Sequence, residues 1–263
     1  FWHYIPLVGK SQGCEIYLPQ NIFIWYNVNM YTAYIDLDGT LLDDRKLISQ
    51  LTYNSLVSFQ QRGNILVLAT ARSRRLQGLQ NCLKEATPYF ILHNGGEILS
   101  GGKVIRRTFF VDEQTRAIGA YLTSNGIKAA VITENAYYAN YNAPAVWGEI
   151  AGFIRTDFSD ADFCAPKFTL LLDNDEAKKV TSPGGFARIK FTDDKSAAII
   201  SPVEASKGAA VKFMQEQLFV GSTSIFIGND NNDLSGFEAC DIKAAISNAA
   251  PELLSAADII IGD

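Results

Sequence analysis

Histidine is scarce in this chain. His3 and His93 are its two copies, and they are too far apart to form a local metal motif. The four cysteines, Cys14, Cys82, Cys164 and Cys240, are just as scattered, with no Cys-x-x-Cys pair. This excludes a zinc-type cluster and reads as reduced thiols, mostly buried or incidental, in a cytoplasmic setting. There is no Gly-x-Ser-x-Gly elbow and no phosphate-binding Gly-x4-Gly-Lys-Ser/Thr loop. Positive charge is never concentrated. The formal net charge is -5, and the densest basic stretch is Arg72, Arg74 and Arg75. Those three read as a solvated helix face, so no nucleic-acid partner is expected. No apolar run is long enough to cross a bilayer, so no membrane partner is expected either. Residues 1–35 are rich in aromatic and apolar groups, but Lys10, Gln12, Glu15 and Gln20 interrupt them. Without a basic n-region they make a poor signal peptide.

What is there is an ordinary globular composition, 263 residues with 48% hydrophobic and 19% charged. That length supports one sizeable core and a smaller second one. Residues 31–38 (YTAYIDLD) form a short strand pattern ending in two acids. A helix is expected over 46–61, its apolar side supplied by Leu47, Ile48, Leu51 and Leu56. The run ILVLAT (65–70) has the continuous apolar character of a parallel strand covered on both faces. A helix over 73–84 and a strand over 89–96 follow. After residue 206 the same style returns, with helices near 206–218, 234–240 and 251–257 between strands near 224–228, 242–247 and 257–262.

Alternation of this kind predicts an α/β fold, a Rossmann-like parallel core sheet with helices on both faces. The middle breaks the pattern. KVIRRTFF, KAAVITE, KFTLLLD and FARIKF are spaced like antiparallel strands mixed with a helix near 112–125. The expected organisation is a core of residues 31–97 and 193–263, an inserted α+β cap domain over 98–192, and an N-terminal extension over 1–30 of uncertain role. The extension is read as added strands, an edge cover, a homo-oligomer contact or part of a preceding domain.

Asp36 and Asp38 bracket the end of the first core strand, and Gly39 follows. Side chains alternate along a strand, but a glycine turn just beyond it can bring both carboxylates over one site. One can then attack phosphorus while the other handles a proton. Phosphate oxygens and a carboxylate nucleophile repel one another, so a hard cation is expected, and Mg²⁺ takes oxygen ligands.

The stretch Asp36-Leu37-Asp38-Gly39-Thr40 resembles the first motif of the haloacid dehalogenase superfamily of phosphatases, and the likeness runs over roughly residues 31–263. It is closest to the sugar-phosphatase branch with a large cap inserted late in the core. The resemblance implies that Asp36 becomes an aspartyl-phosphate. It implies that Asp38 protonates the leaving group and then activates water, with its backbone carbonyl on Mg²⁺. Thr70 matches the second motif and would hydrogen-bond a phosphate oxygen. Lys207 matches the third and would neutralise Asp36 and the transferring group. The fourth reads Gly228-Asn229-Asp230-Asn231-Asn232-Asp233. Asn232 and Asp233 agree with it, whereas Asn229 stands where the family places a Mg²⁺-binding Asp. Asn94-Gly95-Gly96 resembles a substrate-side turn, and Asn232 is assigned to the substrate with it.

The implied enzyme is a Mg²⁺-dependent phosphatase acting on a small phosphorylated metabolite, with a sugar phosphate as the expected class. A phosphotransferase or mutase would share the aspartyl-phosphate. A phosphate-ligand binding protein with impaired turnover is the other alternative, kept open by Asn229. Cap-side candidates are His93, Glu134, Asn135, Tyr138 and Lys167. Tyr137, Tyr138 and Tyr141 could stack on a sugar or fill the small cap core.

Overall fold

The structure is a computed structural model. It describes residues 14–17, 23–26, 30–75, 81–173, 175, 176, 180, 181, 184–191 and 196–262. Two short strands, β1 (Cys14–Tyr17) and β2 (Phe23–Tyr26), pair antiparallel as a sheet of their own. The remainder of the 1–30 extension lies outside the described residues, apart from Met30.

The main sheet has eight strands. In chain order these are β3 (Tyr31–Asp36), β4 (Ile65–Ala69), β5 (Tyr89–Leu92), β6 (Glu97–Ser100), β7 (Lys103–Arg107), β14 (Thr223–Gly228), β15 (Ile242–Ile246) and β16 (Ile259–Ile261). Their spatial order is β16-β15-β14-β3-β4-β5-β6-β7. Every pairing from β16 to β5 is parallel, while β6 and β7 extend the sheet antiparallel.

The two-residue period of the strands explains why helices cover both faces. Ala33 and Ile35 of β3, with Leu66 and Leu68 of β4, pack on one side with Leu56 and Leu83 from helices. Tyr34, Val67 and Ala69 point the other way and pack with Val211, Met214, Phe237 and Leu253.

The inserted cap is a six-stranded sheet with one long helix. Its strands are β8 (Lys128–Ile132), β9 (Tyr137–Ala139), β10 (Phe153–Arg155), β11 (Phe168–Leu171), β12 (Ala187–Phe191) and β13 (Ala197–Pro202). The order is β10-β9-β8-β11-β13-β12, antiparallel except for β9 with β10. The helix Asp112–Ser124 lays Ile118 and Leu122 on Ala129, Val131, Phe168, Leu170 and Ile200. Gly119 permits this approach, because a Cβ there would collide with Phe158.

Several expectations need correction. Residues 98–107 pair in the core sheet rather than the cap, and Ala197–Pro202 pairs in the cap sheet rather than the core. Sheet membership therefore switches inside the expected limits at one end and beyond them at the other. We propose that the domain division follows the sheets.

The first helix starts at Gln50, not at 46. Asp43 caps a turn instead, accepting from the Leu47 backbone N–H at 2.8 Å, and Lys46 takes φ 62. Leu47 and Leu51 consequently point to solvent, and Leu56 is the buried residue of the helix. The middle of the expected 73–84 helix, residues 76–80, lies outside the described set, and the described helix is Asn81–Ala86. Cys164 is exposed, and Cys82 and Cys240 are half-buried, so these three thiols fit the incidental reading better than the buried one. Among the described residues, no helix is long and apolar enough to cross a membrane.

Candidate active site

Strand register builds the site. β14, β3 and β4 run parallel side by side, so their C-terminal ends share one edge of the sheet, the usual ligand edge of an open α/β sheet. Asp36 lies opposite Ala69, and Ile35 lies opposite Ile227. Thr70 and Asn229, the residues just past β4 and β14, therefore flank Asp36.

The helix Lys207–Gln217 brings the cation. Ser206 caps it by accepting from the Ala209 N–H at 3.0 Å. Two glycines let this helix start come close. A Cβ on Gly95 would collide with the Ser206 carbonyl, and one on Gly208 with the Ser235 carbonyl. Lys207 is fully buried, and its Nζ reaches Asp36 Oδ1 at 2.5 Å and Asp233 Oδ1 at 2.6 Å. Burial pushes the Asp36 carboxyl up to about 6, against the pull of Lys207. Burial works against the Lys207 ammonium too, but Asp36 and Asp233 together raise its pKa. Asp233 also accepts the backbone N–H groups of Asn229 and Asp230 at 3.0 and 3.1 Å, so it ties the loop to the cation.

Asp38 faces a different partner. Arg72 grips it with two bonds, Nε to Oδ2 at 2.8 Å and Nη2 to Oδ1 at 2.7 Å, while Lys46 stands 3.0 Å from Oδ1. This clamp holds the Asp38 carboxyl down at about 2. Thr70 is buried, and its Oγ1 accepts the Arg72 backbone N–H at 3.1 Å.

Asn229 leans over the first turn. Thr40 Oγ1 donates to its Oδ1 at 3.0 Å, and a Cβ on Gly39 would stand 2.5 Å from its Nδ2. Asp230 does not supply the acid missing at position 229. It is exposed, and its Oδ1 accepts the Asn231 N–H at 2.7 Å.

The turn at 93–95 is left-handed throughout, with φ 53 at His93, 56 at Asn94 and 98 at Gly95. Such backbone strain is commonly held at functional sites. Asn94 accepts from Asn232 Nδ2 at 3.2 Å, and both line a cleft between core and cap. Gly95 and Gly96 pack behind them, against Ser206 and His93. His93 itself is buried edge-on to Phe109, and burial, with the charges of Lys167 and Arg74, pushes it down to about 3. Its Nδ1 is buried without a hydrogen-bond partner among the described residues.

The other cap candidates divide. Tyr138 stacks on Phe163 at 4.1 Å, and the Tyr141 hydroxyl accepts from Trp147 Nε1 at 3.2 Å, so these rings pack within the cap. Glu134 meets Arg74 at 2.8 Å. Lys167 reaches across to the Ala71 carbonyl at 2.9 Å, and burial pushes it down to about 8. The basic stretch is thus no solvated face. Arg72 holds Asp38, Arg74 joins buried Glu97 to the cap's Glu134, and Arg75 donates to the cap's Ala151 carbonyl at 3.0 Å. The sequence carried no signal for the contacts of Arg74 and Arg75, which depend on where the cap meets the loop after Thr70.

A parallel sheet with a carboxylate at its ligand edge, a buried lysine against it and a cap above defines a phosphoryl-transfer α/β hydrolase. The chain belongs to the haloacid dehalogenase-like hydrolases, whose family model matches residues 33–263. It is an enzyme of the phosphoric monoester hydrolase class. It is 28% identical over 233 residues to a phosphoglycolate phosphatase of Sulfurisphaera tokodaii, covering 86% of this chain and 85% of that one. A haloacid dehalogenase-like hydrolase of Bacteroides thetaiotaomicron has the same fold, with TM-score 0.75, 22% identity, and coverage of 89% and 94%. The sugar phosphatase BT4131 superposes with TM-score 0.75 at 18% identity, covering 89% of this chain and 94% of its own.

Members of the superfamily generally use Mg²⁺. Among the described residues, no three His, Cys, Asp or Glu side chains gather into a metal cluster. The oxygen donors nevertheless fit such an ion in kind, since Asp36 and the Asn229 amide border the same Gly39–Thr40 turn. They supply less negative charge than a set with Asp at position 229.

Proposed function

We propose that the chain hydrolyses a small phosphorylated metabolite, a sugar phosphate or a molecule of similar size, with Asp36 as nucleophile. The observation that carries this reading is the buried Lys207 bridge between Asp36 and Asp233 at the ligand edge. An Asp36 carboxylate oxygen attacks phosphorus, the bond from phosphorus to the substrate oxygen breaks, and Asp38 supplies the leaving alkoxide with a proton. Asp38 then takes a proton from water, which attacks the aspartyl-phosphate and releases inorganic phosphate and free Asp36. Lys207 and the Thr70 hydroxyl stabilise the charge on the transferring group. The Arg72 clamp favours ionised Asp38, the form needed as base in the second step. For the first step, Asp38 must take up a proton as Arg72 turns toward phosphate.

Mg²⁺, when bound, would offset the repulsion between phosphate oxygens and Asp36. Asp36, the Asp38 carbonyl and Asn229 would hold it, with Asp233 beside them. Restoring a carboxylate by Asn229→Asp should tighten Mg²⁺ binding several-fold in calorimetry. Unchanged affinity would place residue 229 outside the metal shell. Turnover by the Asp variant alone would favour the second reading, a phosphate-ligand binding protein with impaired catalysis, which the neutral Asn229 supports.

The direct test is phosphate release from a panel of phosphorylated sugars and acids, with Mg²⁺ and with chelator, across pH. Asp36 attacks only when ionised, and burial raises its pKa, so kcat/KM should fall at acidic pH, with Mg²⁺ moving the fall to lower pH. No Mg²⁺-dependent release from any compound would refute the reading.

A further inference from the structure

The cleft between cap and core encloses about 340 Å³ and has Lys207, Asn94 and Asn232 on its core side. Its cap side is made by β12 and β13. Their pairing sets Arg188 opposite Ser201 and Lys190 opposite Ile199. Alternation then sorts the two faces. Ala187, Ile189, Phe191 and Ile200 turn inward to the cap core, and Arg188, Lys190, Ile199 and Ser201 turn to the cleft.

Two cations on a cleft wall select for charge. Lys207 is already balanced by Asp36 and Asp233. Arg188 donates to the Ala205 carbonyl through Nη2 and to Ser201 Oγ through Nε at 3.4 Å, both neutral acceptors. A guanidinium has five N–H donors, so capacity remains for a ligand. Lys190 makes no ion pair among the described residues. The acid that lines the cleft with them is Glu238, an exposed residue on the core side. Asn232 Oδ1 is buried without a hydrogen-bond partner among the described residues, an acceptor suited to a substrate hydroxyl.

We propose that Arg188 and Lys190 form a subsite for a second anionic group on the leaving alcohol. The preferred substrates are then phosphate monoesters that also carry a carboxylate or a further phosphate. This rests on the phosphatase reading above and narrows it. A neutral sugar would leave both exposed cations without an anionic partner among the described residues, whereas an acid gains charge-assisted hydrogen bonds.

The test compares phosphoglycolate and 3-phosphoglycerate (carboxylate arm), fructose 1,6-bisphosphate (phosphate arm) and glucose 6-phosphate (neutral arm). The whole protein and its Lys190→Glu variant are assayed for kcat/KM. Binding is measured in parallel by calorimetry in the Asp36→Asn background, so that it is read without turnover. The parent should prefer one anionic arm over the neutral one, and the stronger arm identifies the anion. Lys190→Glu should cut that preference by about 10- to 100-fold, mainly through KM, the scale of losing a charge-assisted hydrogen bond. Lys190→Gln should fall between, and Arg188→Gln should act in the same direction. Equal binding of neutral and anionic arms by the parent, or a preference untouched by Lys190→Glu, overturns the proposal. Loss of the phosphatase reading looks different, as turnover that persists in Asp36→Asn or is absent for every arm while anion-selective binding remains.

Discussion

An Asp36→Asn variant should lose at least about 1000-fold in kcat, the scale seen when a nucleophile is removed, while keeping its fold. The substitution is nearly isosteric, and the amide oxygen still accepts from Lys207, so the buried contact at 2.5 Å has a replacement acceptor. What disappears is the negative oxygen that forms the bond to phosphorus. Circular dichroism and a thermal melt close to the parent's would separate lost chemistry from lost structure. Normal steady-state turnover by pure, folded Asp36→Asn protein would sink the assignment.

Lys207→Ala should reduce turnover about 100- to 1000-fold, the cost of removing one preorganised charge from the transferring group. It also has a structural effect, because Asp36 and Asp233 are then left buried without their cation. Removing one partner of a buried ion pair commonly costs about 3–5 kcal/mol. The melt should therefore fall markedly, and kcat must be referred to folded protein. Lys207→Arg keeps the charge but enlarges a fully buried side chain, so it should recover stability only in part. A folded, fully active Lys207→Ala enzyme would show that another cation carries the role, and Arg72, already on Asp38, would be next to test.

Much of the site was legible because it sits where strands end. Asp36, Thr70 and Asn229 each follow an apolar run, and a parallel sheet gathers such ends at one edge. Lys207 was recognisable by its order in the motif series, although 171 positions separate it from Asp36. The roles of Arg74, Arg75 and Lys167 were not legible, since they depend on where the cap lands on the loop after β4. The hairpin β6–β7 was read into the cap because its alternation suits either sheet, and only pairing with β5 decides the matter. The same ambiguity moved β13 the other way. The tyrosines at 137, 138 and 141 carried no signal to separate sugar stacking from cap packing. The neighbours Phe153 and Phe163 of Tyr137 and Tyr138 are distant enough in sequence to be invisible beforehand.

The central claim is a covalent phosphoryl group on Asp36. Its most direct test is rapid acid quench during turnover of a phosphorylated substrate, followed by borohydride reduction and peptide mass spectrometry. A phosphoaspartate is reduced to homoserine, so the account predicts homoserine at position 36 in the parent and none in Asp36→Asn. Homoserine or phosphate mapped to another residue, with position 36 unmodified during active turnover, would contradict it.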